Sequence, residues 1–258
     1  MISRTDASPI TGRRRAELAR RIALAREPLR EDVRGPSRRL LLGELSWLLE
    51  PVRRRFRTFA IPRAEHPKTV MLLPGFATHP VRMRYFAQAL EQAGHQVKHW
   101  GMGMNWGAHP ENLAHVERRL LQLHGRTGEQ VVLVGWSLGG LFARELAKRQ
   151  PHAVAKVVTM GTPFSGSMRA NNAWRAYQAI AGYSVDAPPI ETDMGQKPPM
   201  NTVAMWSARD GVISPRSASG KPGERDRAVR LRCTHMGFIF SPEAIGAVCE
   251  ELDFPPAI

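Results

Sequence analysis

A serine held between two glycines, Gly135-Trp136-Ser137-Leu138-Gly139, follows the apolar run Val131 to Val134 and opens a helical stretch over 138–149. That setting suits nucleophilic attack. A serine on a sharp strand-to-helix turn projects its hydroxyl clear of the backbone, and side chains at the flanking glycines would collide with neighbouring main chain. The helix opening at Leu138 aims its free N–H groups and positive end at the oxygen where negative charge would develop. A hydroxyl is a weak nucleophile unless a base activates it, and the base needs a third group to orient it. Downstream, Thr202 to Ile213 reads as a strand ending in a turn at Asp210-Gly211, and His235 follows a further strand at 228–232. Of the nine histidines, His235 alone comes after Asp210. Asp186 and Asp193 are rival acids, but they lie in a proline-rich stretch rather than just after a strand. The order serine, acid, histidine therefore assigns Ser137 as nucleophile, Asp210 as orienting acid and His235 as general base.

An oxyanion needs a second donor besides the Leu138 N–H. Met71-Leu72-Leu73-Pro74-Gly75-Phe76 ends a strand where such a donor belongs, and the Phe76 N–H is the candidate; Gly75 lets the backbone come close and Pro74 stiffens the turn. Trp136, Met160 and Phe164 are expected to crowd the nucleophile as substrate-binding residues, which favours an apolar acyl group.

To hold these residues at one edge, the chain needs a parallel sheet with crossover helices. From residue 69 onward, short apolar runs at 69–73, 96–100, 130–134, 155–160, 202–207 and 228–232 alternate with helical stretches at 80–93, 111–124, 138–149, 168–181 and 241–252. That alternation implies an α/β fold, doubly wound on a mostly parallel sheet. The rhythm breaks at 165–200, which carries Pro188, Pro189, Pro198 and Pro199 and reads as a small cap insert over the site. Trp100 to Gly107 reads as a glycine-rich loop beside the site, without the spacing of a dinucleotide motif.

With these residues in view, 69–252 resembles the α/β-hydrolase superfamily, and within it the bacterial lipase and esterase branch. Leu73-Pro74-Gly75-Phe76, Gly135 to Gly139, Gly161-Thr162-Pro163-Phe164-Ser165-Gly166, and Asp210-Gly211 with His235 carry the resemblance. It implies the α/β-hydrolase fold and hydrolysis of a small-molecule carboxylic ester through an acyl-enzyme. It also implies that the Gly161 to Gly166 stretch helps line the acyl pocket. Serine at the elbow argues against the branches that attack with aspartate. Two alternatives stay open: acyl transfer by the same triad, and a binding protein that keeps the fold without the chemistry.

Residues 1–60 depart from the resemblance, reading as a basic helical extension ahead of a catalytic domain at 61–258. They hold 15 Arg and no Lys against 7 acidic residues, and so carry more than half of the net charge of +14. Charge confined to an extension argues against a nucleic-acid reader, whose positive charge would sit on its recognition element. Residues 13–29 read as an amphipathic helix with Leu18, Ile22, Ala25 and Leu29 at helical spacing, and 40–49 as a second helix ending at Pro51. Packing on the body and peripheral membrane contact through this basic N-terminus are both open. No cofactor and no metal are expected, since Cys233 and Cys249 match no zinc or redox spacing and His109, His115 and His124 lack ligand spacing. Without a leader-like apolar stretch, the cytoplasm is the expected location.

Overall fold

Strand β1 (Thr69–Leu73) shows how the sheet is built, because its side chains alternate between two cores. Val70 and Leu72 join one apolar cluster, Met71 and Leu73 the other, and all are buried. Period-two alternation in which both sets are apolar is the mark of a strand covered on both faces. In the computed structural model, which describes residues 9–29, 33–57 and 59–254, β1 lies in a six-stranded sheet. The other strands are β2 (Gln96–His99), β3 (Val131–Trp136), β4 (Val154–Met160), β5 (Asn201–Ser207) and β6 (Arg227–Leu231). Their order is β2-β1-β3-β4-β5-β6, with every neighbouring pair parallel. The sheet is thus parallel throughout, and each strand falls within two residues of its expected ends.

Nine α-helices are described. In chain order they are α1 (Pro9–Ala25), α2 (Arg38–Gly43), α3 (Glu50–Phe56), α4 (Arg84–Gln92), α5 (Pro110–Thr127), α6 (Leu138–Arg149), α7 (Trp174–Ala181), α8 (Pro215–Ser219) and α9 (Pro242–Asp253). Phe86 and Leu90 of α4 pack with Ile245 and Val248 of α9 on one face of the sheet. Leu113, Val116 and Leu120 of α5 pack with Leu141, Phe142 and Leu146 of α6 on the other. Helices on both faces of a parallel sheet make the fold doubly wound, and they bring the C-terminal ends of β3, β5 and β6 to one edge.

Two helices differ from expectation for local reasons. The stretch expected from 168 becomes helical only at Trp174, because Asn171 bonds its own neighbourhood: its amide donates to Met168 O at 2.7 Å and accepts from Ala173 N–H at 2.8 Å. Pro51 does not end the second N-terminal helix. Residues 44–49 tighten into a 3₁₀ turn, and Pro51 sits in the first turn of α3, where no N–H is required. Residues 38–56 are therefore one unbroken helical run.

Helix α1 attaches through polar groups rather than its apolar stripe. Arg21 donates to the carbonyls of Ala179 and Ile180 at 3.2 and 2.6 Å, Gln178 donates to Leu24 O at 2.6 Å, and Arg169 pairs with Glu27. Leu18 and Ile22 remain exposed. The partner of α1 is thus α7, in the insert between β4 and β5.

Candidate active site

The turn after β3 places Ser137 at φ 55° and ψ −123°, a backbone conformation that costs a non-glycine residue about 1–3 kcal/mol. The surroundings enforce it. A Cβ on Gly139 would overlap the Leu73 carbonyl oxygen, and one on Gly140 would overlap the Thr162 hydroxyl, so the elbow is wedged between β1 and the segment after β4. The Ser137 N–H donates to Met160 O at 2.8 Å, which ties the elbow to β4.

Asp210 and His235 meet behind it. His235 Nδ1 lies 2.8 Å from Asp210 Oδ2, with both side chains almost wholly buried. The second Asp210 oxygen accepts from Val212 N–H at 2.8 Å and Ile213 N–H at 2.7 Å, so the turn itself fixes the carboxylate. Because the carboxylate can only accept, Nδ1 carries the proton and Nε2 is left with its lone pair. Burial disfavours the imidazolium, but the charge and hydrogen bond of Asp210 outweigh it, with a further contribution from Glu44, and the His235 pKa stands above the ordinary histidine value. Trp136, next to the serine, donates its indole N–H to His235 O at 3.1 Å and packs its ring beside the imidazole. Gly161, at φ 54°, leaves the space beneath the pair open: a Cβ there would lie 3.0 Å from both Asp210 Oδ2 and His235 Nδ1. The rival acids have other partners, Asp186 in an ion pair with Arg169 and Asp193 accepting from the N–H groups of Gly195 and Gln196.

The Pro74 to Phe76 turn lies against Ser137, since a Cβ on Gly75 would be 3.2 Å from Ser137 Cβ. Phe76 and Leu138 both border the cavity that contains Ser137. Asn105, from the glycine-rich loop, braces this turn: its side chain donates to Pro74 O at 2.8 Å and its carbonyl accepts from Ala77 N–H at 2.7 Å.

That cavity, of about 440 Å³, is walled mainly by Leu138, Leu141, Met168, Trp174, Tyr177 and Val185. Burial raises the pKa of Tyr177 and of Tyr183, so both hydroxyls stay protonated; each accepts from Ala108 N–H at 3.0 Å. Trp136, Met160 and Phe164 are buried in the cores rather than in this wall. Arg144 of α6, itself buried, holds the insert in place by donating to the carbonyls of Met194, Gly195, Gln196 and Glu224 at 3.1 to 3.3 Å. Among the described residues, no group of three or more His, Cys, Asp or Glu side chains could hold a metal ion.

One residue of this site escaped the sequence. Glu44, in the N-terminal helical run and only 7% exposed, accepts from the N–H groups of Gly211 and His235 at 2.8 Å each through one oxygen, and from Met236 N–H at 3.0 Å through the other. It ties the acid loop to the histidine loop. A glutamate among leucines in an amphipathic stretch gives no signal that it points inward.

Comparison with known proteins agrees with this fold. A family model described as the alpha/beta hydrolase fold matches residues 109–199. The pimeloyl-[acyl-carrier protein] methyl ester esterase of Vibrio campbellii is 36% identical over 84 residues, a segment that spans 33% of this chain and 31% of that protein. Among solved structures, Aspergillus fumigatus lipase B superposes with a TM-score of 0.54 at 18% identity, over 74% of this chain and 53% of its own. The Paleococcus ferrophilus monoacylglycerol lipase superposes with a TM-score of 0.52 at 16% identity, over 76% of this chain and 99% of its own.

Proposed function

We propose that this chain, whose fold is that of the α/β hydrolases, hydrolyses carboxylic esters through an acyl-enzyme on Ser137. The observation that carries the proposal is a strained serine bordering an apolar cavity, with a buried Asp210–His235 pair beside its elbow. The Vibrio campbellii relative is named a methyl ester esterase, which supports the same bond class.

In this mechanism His235 Nε2 takes the proton from Ser137 Oγ as the oxygen bonds to the ester carbonyl carbon. The carbonyl oxygen becomes an oxyanion, for which the N–H groups of Leu138 and Phe76 are the donors. The tetrahedral centre collapses, the C–O bond to the alcohol breaks, and His235 returns its proton to the leaving alkoxide. Water, deprotonated by His235, then attacks the acyl-enzyme and releases the acid and the free serine. Asp210 accepts from His235 Nδ1–H and holds the tautomer. The wall of Leu141, Met168 and Trp174 fits an apolar acyl group.

The test is a series of p-nitrophenyl esters from acetate to palmitate, run on the chain and on Ser137→Ala, with labelling by a serine-reactive phosphonate. Ser137→Ala should lose about 10⁶ in kcat while its melting temperature does not fall. An alanine variant with a tenth of the original activity, or phosphonate attached to another serine, would overturn the assignment.

A further inference from the structure

The helical run 38–56 is turned inside out. Its inward stripe, at spacings of three and four, is Leu40, Glu44, Trp47, Glu50 and Arg54, of which the two acids are the most buried. Glu44 is committed to the backbone of two loops, and Glu50 to Arg53 and Arg57 at 3.2 and 3.3 Å. The outward stripe is Leu42, Leu45, Leu48, Leu49, Val52 and Phe56, all more than half exposed, with Leu42 at 68% and Phe56 at 81%. An ordinary surface helix has these faces reversed. A contiguous apolar strip of this kind on a protein surface marks an interaction site rather than chance exposure.

Its flanks say what the partner is. Arg38 and Arg39 stand exposed at one end of the strip, and Arg53 and Arg55 at the other. Arg53 is paired with the inward-facing Glu50, which leaves Arg38, Arg39 and Arg55 as the outward-facing charges of the run. An apolar strip framed by arginines complements a surface that is apolar within and anionic at its edge, which describes the interface of an anionic bilayer. Two copies of the strip would bring like charges together, which disfavours self-association. Among the described residues no helix is long and apolar enough to cross a membrane, so the element would lie in the interface plane.

We propose that residues 38–56 dock the protein on an anionic lipid surface, with Leu42, Leu45, Leu48, Leu49, Val52 and Phe56 entering the acyl boundary and the terminal arginines meeting the headgroups. The proposal is independent of the esterase assignment, since binding is read without substrate. The run also holds the acid and histidine loops through Glu44, so docking would set the catalytic edge of the sheet beside the lipid.

The probe is co-sedimentation of the full chain with phosphatidylcholine vesicles carrying phosphatidylglycerol as the minor lipid, at low ionic strength. The full chain should bind, with at least about tenfold weaker binding to pure phosphatidylcholine and similar weakening by added salt. The outward variant L42S/L48S/F56S should keep its melting temperature and its activity on soluble esters, yet bind at least about tenfold more weakly. R39E/R55E should lose binding through charge alone. No vesicle binding by the full chain at low salt, or a serine variant that binds as tightly as the parent, overturns the proposal. So does a dimer in sedimentation that the serine variant dissolves, since the strip's partner would then be a second copy.

Discussion

Replacing Glu44 by alanine removes the acceptor of three backbone N–H groups at once, those of Gly211, His235 and Met236. Each orphaned buried donor costs about 1–3 kcal/mol, so the sum lies between about 3 and 9 kcal/mol, and the lower half applies because water can enter the vacated space. For a chain of this size that is a fall of about 10 °C or more in melting temperature. Loosening the two loops also displaces the base from the nucleophile, and a misplacement of about 1 Å costs about a hundredfold in rate. Glu44→Gln is the sharper variant. Its one remaining oxygen can still serve Gly211 and His235, which share Oε1, while its NH₂ faces the Met236 N–H; the stability loss should be about 1–3 kcal/mol. It also removes a negative charge that raises the His235 pKa. If His235 acts as the base it must be neutral, so the acid limb of kcat/KM should lie above the ordinary histidine value, and in Glu44→Gln it should move down. The assay is a pH profile of kcat/KM on a short soluble p-nitrophenyl ester, paired with melting curves. An alanine variant that melts with the parent refutes the clamp. A glutamine variant with lower stability and an unmoved acid limb would leave Glu44 as a structural link without influence on the base.

Asp210→Asn should lower kcat by about 10⁴ through the wrong histidine tautomer, whereas Asp186→Asn and Asp193→Asn should retain activity within a few-fold, as steady-state kinetics on all three would show. Arg144→Ala frees the carbonyls of residues 194–196 from their donor, and should raise KM for long acyl esters more than for acetate while lowering the melting temperature; equal KM changes across the series would refute the pocket-wall role. Truncation of residues 1–35 removes α1 and its bonds to Ala179, Ile180 and Gln178 but spares Glu44. It should lower the melting temperature and weaken long-chain substrates through α7, leaving kcat on acetate esters near that of the full chain.

The sheet was legible because its central strands are apolar on both faces, so that runs such as Val131 to Val134 stand out against charged helices such as α5. The elbow was legible because steric exclusion restricts residue type: Gly139 cannot be replaced without striking Leu73. What stayed hidden depends on tertiary placement. Trp136, Met160 and Phe164 are near Ser137 in sequence or strand position, but period-two alternation turns Trp136 and Met160 into the α4 and α9 core. The cavity wall comes instead from Met168, Trp174 and Val185 of the insert, whose apolar residues follow no period. The N-terminal leucines mislead most, since hydrophobic periodicity alone puts them inward, and only the carboxylate demand of the two loops reverses the helix.

Glu44, Asn105 and Arg144 share one physical role. A catalytic edge made of loops exposes backbone N–H and C=O groups that no strand partner can satisfy, and a buried unsatisfied group is costly. Packing cannot supply such partners, because apolar side chains neither donate nor accept. The acid and histidine loops present three N–H groups, and a carboxylate answers them. The insert presents four carbonyls with Glu224, and a guanidinium answers those. The Pro74 turn presents one carbonyl and the Ala77 N–H, and an asparagine with its own backbone carbonyl answers both. For Glu44 and Arg144 the sign of the side chain matches the polarity of the orphaned groups. A position that needs only length and charge is filled from far away in the sequence, and this is why a helix at residues 38–56 can present its acids to the active-site loops and its leucines to the outside.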